Sequence, residues 1–139
     1  VKTDIYPAWE TDLQRYHGLA NWVINCCITA ISPERPKAYI EDYAYAATGR
    51  VFHIAENMAI LKDTLTKWGI KYEMIAPTVI KKYATTKGNA NKEKMYDAFT
   101  DETNRKLLDE FNIKLNNPIT DIVDSYYIAK YGHAYGNNT

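Results

Sequence analysis

The amino-acid sequence predicts an α/β fold, and three observations support this. Long segments carry apolar residues at three- and four-residue spacing, which is typical of amphipathic helices. At least two short apolar segments between them have the length of buried strands. Hydrophobic residues make up 46% of the 139 residues, enough for one core. Because helices alternate with strands along a chain of this length, we expect one α/β domain.

The first predicted helix begins with a capping box. Thr11-Asp12-Leu13-Gln14 has the Thr-x-x-Gln form, in which two side chains satisfy the free N–H groups of a helix start. Apolar residues then recur at helical spacing as far as Ile31, and the helix is expected to end near Ser32-Pro33. The next segment, Lys37 to Glu41, is predicted as a short buried strand that ends in a carboxylate.

A second long helix is predicted from Arg50 to Trp68, with Gly69 as its C-cap. Its apolar residues cover more than one face, so we expect it to pack on a sheet and also on something else, such as a second subunit. The residues from Ile70 to Ile75 are predicted to form another strand.

The second half of the chain is predicted to be mainly helical. Pro77 is placed to start a short helix, and Asn117-Pro118 has the form of an N-cap and first helical position. Further helices are expected through Phe99, from Thr103 to Phe111, and from Pro118 to Tyr131, with Gly132 as the stop. We therefore assign residues 1–132 to the domain and His133 to Thr139 to a flexible tail.

Composition excludes some classes of protein and leaves others open. The 17 basic and 17 acidic residues balance, so any nucleic-acid-binding face must come from local clustering. No apolar run approaches the roughly 18 residues of a membrane span, and no signal peptide is evident. The adjacent Cys26 and Cys27 are poorly placed to bond each other, and we expect reduced thiols and a cytoplasmic location.

Three carboxylates are the first candidates for chemistry. Glu41 ends a predicted strand, where ligands of α/β sheets usually bind. Asp121 and Asp124 are three residues apart and project from the same face of the last helix. Converging carboxylates suit hard cations, and two Mg²⁺ ions held in this way can clamp both oxygens of a phosphoryl displacement. The alternative is that Asp121 complements the helix dipole and Asp124 is a solvated surface residue.

Basic and aromatic residues near these carboxylates are the second set of candidates. Lysines cluster between residues 81 and 94, where they are suited to phosphate contacts; a solvated loop is the alternative. Tyr43 and Tyr45 follow Glu41 and are suited to stacking on unpaired bases, or simply to packing against the next helix. The predicted DNA-binding residues are Lys81, Lys82, Lys87, Lys92, Tyr43 and Tyr45.

Several segments, in order along most of the chain, resemble the RuvC family of Holliday junction resolvases, particularly its phage-type members. The stretch Lys87-Gly88-Asn89-Ala90-Asn91-Lys92 and the Asp-x-x-Asp of the last helix are fairly specific in combination. The matching segments are Ala38 to Tyr45, Gly49 to Phe52, Ala76 to Lys82, Lys87 to Lys92, and Thr120 to Tyr126.

The resemblance implies an RNase H-like fold, with a mixed sheet flanked by helices, and a metal-dependent endonuclease that cuts four-way or other branched DNA. It implies that Glu41, Asp121 and Asp124 are ligands of two Mg²⁺ or Mn²⁺ ions, and that Lys81 and Lys92 lie near the scissile phosphate. It also implies a homodimer with the helix after Glu41 at the interface.

The sequence departs from the family at its start. RuvC proteins begin with a strand that carries a further catalytic Asp, and nothing of that kind precedes the first helix here. We therefore expect that the N-terminal strands are missing from the sequence given. Two other functions remain open: a catalytically inactive module that binds branched DNA or a protein, and an RNase H-like nuclease that acts on RNA or RNA–DNA hybrids.

Overall fold

The computed structural model describes residues 8–29, 36–43 and 51–136, and these residues form six helices and two strands. In chain order the elements are α1 (Asp12–Ile28), β1 (Ala38–Glu41), α2 (Val51–Lys67), β2 (Tyr72–Ile75), α3 (Pro77–Thr85), α4 (Lys92–Thr103), α5 (Leu107–Phe111) and α6 (Ile119–Tyr135). The chain divides into two compact units. The α1–α2 unit comprises described residues up to 38 and from 51 to 73, and the α3–α6 unit comprises 39–43 and 74–136.

The start of α1 follows the predicted capping box, with one change of partner. The Thr11 hydroxyl accepts the N–H of Gln14 at 3.1 Å. The Gln14 side-chain oxygen accepts the N–H of Glu10, at 2.8 Å, where the motif would use that of Thr11. The helix ends at Ile28, three residues before the last apolar residue that we predicted. The predicted stop at Ser32-Pro33 lies outside the described residues.

The end of α2 confirms the predicted C-cap. Gly69 has a φ of 66°, a left-handed conformation that a glycine adopts without steric cost. The N–H of Ile70 donates to the Leu65 carbonyl at 2.9 Å, and that of Gly69 donates to Thr66 at 3.0 Å. These two bonds form a Schellman motif, which satisfies carbonyls at the end of the helix. Ile70 is thereby turned into the core of its unit.

The sheet of the described residues has two strands, and they are parallel. The Ala38 N–H donates to the Lys71 carbonyl, and the Asp42 N–H donates to that of Ile75, each at 2.8 Å. From the first bond to the second, the bonded position moves four residues toward the C-terminus on both strands, so the two strands are parallel. The mixed sheet implied by the resemblance is therefore not observed in this part of the chain.

The α3–α6 unit contains a core of aromatic and branched side chains. Pro77 is the first residue of α3, as predicted, and Asn91 is the N-cap of α4. Phe99, Leu107 and Ile119 are fully buried, so α4, α5 and α6 each contribute to one core. This core fixes the starts of α4 and α6, on which the candidate site depends.

Two boundaries of α6 differ from the prediction. Pro118 is the N-cap residue and Ile119 is the first helical residue, one later than expected. The helix also continues past Gly132 to Tyr135. The Tyr39 ring lies directly against Gly132, where a Cβ atom would collide with it. Gly132 is therefore required for close packing and does not stop the helix, so the first residues of the predicted tail are helical.

Within the described ranges, no helix combines the length and the apolar character that crossing a bilayer requires. Cys26 and Cys27 are both free thiols and are half-buried on α1.

Candidate functional site

A cavity of about 450 Å³ in the α3–α6 unit collects most of the candidate residues. Its wall is formed by the end of β1, by α3, and by the starts of α4 and α6. All three predicted carboxylates, Glu41, Asp121 and Asp124, line this cavity, and so do Lys81 and Lys92. Residues that are as much as 83 positions apart in the chain are thus brought to one surface by the fold.

The backbone around each carboxylate explains its position. Glu41 is the last residue of β1, and the adjacent Asp42 N–H bond to Ile75 holds the strand end in place. On α6, the buried Ile122 and Val123 pack into the core between the two aspartates. This packing fixes the rotation of the helix, so Asp121 and Asp124 both reach the cavity.

The electrostatics of the site disfavour ionised carboxylates. The pKa of Glu41 is raised, first because the cavity removes water from the carboxyl group and then because Asp124 lies nearby, with a smaller contribution from Asp121. The pKa of Asp124 is also raised, first by burial and then by the charge of Asp121. Lys81 opposes both shifts, and Lys92 opposes that of Asp124. Asp124 therefore contributes to the raised pKa of Glu41, and Asp121 contributes to the raised pKa of both.

The donor set suits a hard cation, but the atoms are not gathered into a finished metal site. Carboxylate oxygens are the preferred ligands of Mg²⁺ and Mn²⁺. None of the ion pairs among the described residues involves Glu41, Asp121 or Asp124, so a cation there would offset their mutual repulsion. Across the same residues, however, no group of three or more acidic, histidine or cysteine side chains is close enough to hold an ion.

Three of the remaining predicted DNA-binding residues do not line the cavity. Lys82 and Lys87 are exposed but do not line it. Lys82 follows Lys81 on α3, and neighbouring residues on a helix point in different directions. Tyr43 is half-buried and also outside the cavity wall, and its N–H donates to the Asp42 carboxylate at 2.7 Å. Tyr45 lies outside the described residues.

Four polar residues of the cavity wall were not predicted: Asn91, Glu93, Asn117 and Thr120. Asn91 caps α4 by accepting the Lys94 N–H at 2.9 Å, and asparagine is one of the preferred N-cap residues. The Asn117 side-chain oxygen accepts the Thr120 hydroxyl at 2.5 Å. The sequence around Asn91 and Asn117 does not indicate a cavity, because only the packing of α4 against α6 places these two helix starts at one site.

The fold is similar to that of a solved structure. RuvC from Thermus thermophilus matches with a TM-score of 0.64 at 15% sequence identity, over 98% of this chain and 76% of that chain. The likeness is one of fold, and it supports a RuvC-like, helix-rich arrangement. No protein-family model and no curated protein matches the sequence.

Proposed function

We propose that this chain is a metal-dependent endonuclease that cuts Holliday junctions and other branched DNA. The observation that carries the proposal is the shared cavity of Glu41, Asp121 and Asp124, with Lys81 and Lys92 in its wall. Acids whose pKa is raised by burial and by a neighbouring acid are typical of functional sites, because such sites commonly hold groups of like charge together in a cleft. The RuvC-like fold supports a nuclease as the class of enzyme.

Each residue has a distinct role in this proposal. Glu41, Asp121 and Asp124 would hold Mg²⁺ or Mn²⁺, two ions per site, through their carboxylate oxygens. Such ions, when bound, activate a water molecule and stabilise the leaving oxygen of the phosphodiester. Lys81 and Lys92 reduce the repulsion between the acids and the anionic DNA, since both already lower the pKa of Asp124.

The other predicted DNA-binding residues would bind the arms and the centre of the junction. The exposed Lys82 and Lys87 are suited to phosphates further along the backbone. Tyr43 and Tyr45, which follow Glu41 in sequence, are proposed to contact unpaired bases at the branch point. These contacts position the substrate and take no part in the chemical step.

A homodimer is part of the proposal, since two sites are needed to cut two strands symmetrically. Exposed apolar side chains at the start of α2 support it: Phe52 is 81% exposed and Ile54 is 51% exposed. Apolar groups clustered at a surface commonly mark a contact with another protein.

A second candidate function is a module that binds branched DNA without cutting it. It is favoured by one observation: the described carboxylates do not form a ready group of metal ligands. In such a module the cavity would still bind DNA through Lys81 and Lys92, and the acids would only limit how closely the backbone approaches.

A cutting assay on a labelled four-way junction separates the two functions. With Mg²⁺ the complete protein is expected to produce symmetric nicks, and its Glu41→Gln variant is expected to bind the junction without nicking it. Binding without nicks by the parent protein would favour the module. Equal cleavage by parent and variant would contradict the roles assigned to the acids. Parallel assays with RNA and with RNA–DNA hybrids test whether the substrate class is correct.

A further inference from the structure

One aromatic contact joins β1 to α6, the two elements that carry the acids of the site. Tyr39 and Glu41 are two residues apart on β1, so their side chains project from the same face of the strand. Tyr39 packs against the core of the α3–α6 unit, and its ring lies directly against α6 at Gly132. The face of the strand that carries Glu41 is therefore the face that meets the helix.

The Tyr39 ring covers two glycines near the C-terminal end of α6. A Cβ atom on Gly132 would collide with three carbons of the ring, Cγ, Cδ1 and Cδ2. A Cβ atom on Gly136, the C-cap, would collide with the hydroxyl end of the same ring. The ring therefore extends along one turn of the helix, at a distance from the backbone that no residue with a Cβ atom allows.

The backbone conformation of Gly132 does not explain why a glycine is present. Among the described glycines only Gly69 has a positive φ, and Gly132 lies inside α6, where alanine is more favourable to a helix. What the glycine provides is room for the ring. A residue that weakens the helix thus lets β1 and α6 lie closer together than alanine would.

The side of α6 that meets the ring also carries an acid of the site. Asp124, Ile128 and Gly132 follow one another at four-residue steps, so they lie along one side of the helix, and Ile128 is buried. Gly132 is about 12 Å from Asp124 along the axis, because a helix advances about 1.5 Å per residue. Tyr39 is about 7 Å from Glu41, because a strand advances about 3.3 Å per residue. The ring thus joins the two elements at one point, and the acids lie further along both.

Metal binding depends strictly on the separation of these acids. Mg²⁺ binds its ligands at about 2.0–2.1 Å in near-octahedral geometry, and a functional site tolerates displacements of only about 0.5 Å. A shift at the ring reaches the acids, because a helix and a strand are each stiff and the interior between them is close-packed. The described acids do not form a ready group of metal ligands, so a wider separation of β1 and α6 would place them further from one.

From these observations we infer that the contact between the Tyr39 ring and Gly132 sets the separation of β1 and α6, and thereby positions Glu41 relative to Asp124 for metal binding. The inference rests on the proposed function and adds two positioning residues to it. Neither Tyr39 nor Gly132 lines the cavity, so both act only through the acids that they position.

The affinity for Mn²⁺ tests the inference without relying on catalysis. In calorimetric titrations of the complete protein, Gly132→Ala is expected to weaken Mn²⁺ binding by about tenfold, the lower end of the effect of groups that orient metal ligands. Tyr39→Ala removes the ring that holds the strand against α6, and it is expected to weaken binding to a similar extent. Tyr39→Phe keeps the ring and is expected to bind Mn²⁺ within about twofold of the parent protein.

The matched control is a glycine of the other unit that also lies against an aromatic ring. A Cβ atom on Gly18 of α1 would lie 2.8 Å from Nε1 of Trp9, so Gly18→Ala introduces a collision of the same kind in the unit that contains none of the three acids. It is expected to lower the unfolding midpoint and to leave the affinity for Mn²⁺ within about twofold of the parent. Thermal unfolding verifies that each variant is folded at the temperature of the titration.

The outcomes distinguish this inference from the function on which it rests. Three results would overturn the positioning inference and leave the nuclease proposal standing: folded Gly132→Ala and Tyr39→Ala variants that bind Mn²⁺ as tightly as the parent, an equal loss of affinity in Gly18→Ala, or an equal loss in Tyr39→Phe and Tyr39→Ala. If the parent protein binds no Mn²⁺ even with junction DNA present, the proposed function fails and the inference fails with it.

Discussion

Each of the two units contains a cavity lined by charged side chains, but among the described residues only one of the two cavities has its charges in ion pairs. In the α1–α2 unit, a cavity of about 590 Å³ is lined by Asp12, Arg15, Tyr16 and His53, among others. Asp12 bonds to Arg15 at 3.1 Å and lies 3.5 Å from His53, whose ring nitrogen is 3.0 Å from the Tyr16 hydroxyl. The carboxylates of the α3–α6 cavity have no such partner among the described residues.

The difference distinguishes a structural site from a functional one. Charges that are paired contribute modestly to stability and are not available for binding a ligand. Acids that are partly desolvated, close to one another and unpaired lower the stability of the free protein, and a ligand of opposite charge removes that cost. Under the proposed function, the chemistry takes place at the α3–α6 cavity, and the polar network of the other unit has a structural role.

The largest expected effect on cutting comes from removing the Glu41 carboxylate, and the same kind of change at Asp12 in the other cavity is its control. Glu41→Gln is expected to reduce junction cutting by roughly 10³-fold or more, because it removes a ligand of the ions that stabilise the transition state. Asp12→Asn is expected to leave cutting within about twofold of the parent, and to lower the unfolding midpoint by roughly 1–3 °C because exposed ion pairs are lost. The two measurements are single-turnover cutting and thermal unfolding. A strong loss of cutting in Asp12→Asn would abolish the distinction between the cavities.

A smaller effect is expected from the lysines of α3. Lys81→Ala is expected to slow cutting by about 10- to 100-fold and to reduce the salt dependence of junction binding by about one unit of slope, because one phosphate contact is lost. Lys82→Ala, at the exposed neighbouring position, is the control and is expected to change the cutting rate by less than about threefold. Equal losses in the two variants would mean that the cavity gives Lys81 no special role.

The role of the α1–α2 unit in assembly is tested at Phe52. A charge in place of this exposed ring is expected to disrupt an apolar interface, so Phe52→Asp is expected to weaken dimer formation by roughly 10- to 100-fold while each chain still folds. Light scattering after gel filtration measures the oligomer, and circular dichroism verifies the fold. If the parent protein is already monomeric at high concentration, the proposed homodimer is wrong.

The smallest expected effect is on stability and its dependence on pH. The pKa of Asp124 is raised by burial and by Asp121, so the folded state binds more protons than the unfolded state between the ordinary and the raised pKa. Stability therefore falls as pH rises through that window. In metal-free protein at neutral pH, Asp124→Asn is expected to raise the unfolding midpoint by roughly 2–4 °C. The gain should disappear at a pH below the ordinary aspartate pKa; a neutral or destabilising effect at both pH values would contradict the electrostatic account.

The sequence predicted local features of the fold better than its contacts. Capping at Thr11, the C-cap at Gly69 and the helix start at Pro77 are encoded by a few adjacent residues, and all three are confirmed. The stop predicted at Gly132 was wrong because a glycine also permits close packing, and here the Tyr39 ring requires it. That ring is more than 90 residues away in the chain, so no local pattern indicates it.

The candidate site shows the same limit. The candidate acids and lysines were identified from the sequence alone, because few residue types are suited to binding metal ions and phosphates. The resemblance singled out Lys81 and Lys92, and these two lysines line the cavity. Residue type and spacing alone did not separate them from Lys82 and Lys87, since that depends on how α3 and α4 pack. The asparagines of the wall were missed for a related reason. Each is a common residue beside a helix start, and only the tertiary structure places the two at one cavity.

Calorimetric titration of Mn²⁺ into the complete protein measures whether Glu41, Asp121 and Asp124 act together on a divalent cation. We expect saturable binding that is weakened by roughly 10- to 100-fold in each of Glu41→Gln, Asp121→Asn and Asp124→Asn, with Asp12→Asn unchanged from the parent. An affinity for Mn²⁺ that none of the three substitutions alters, or no binding by the parent protein in the presence of junction DNA, would rule out a metal site shared by the three acids.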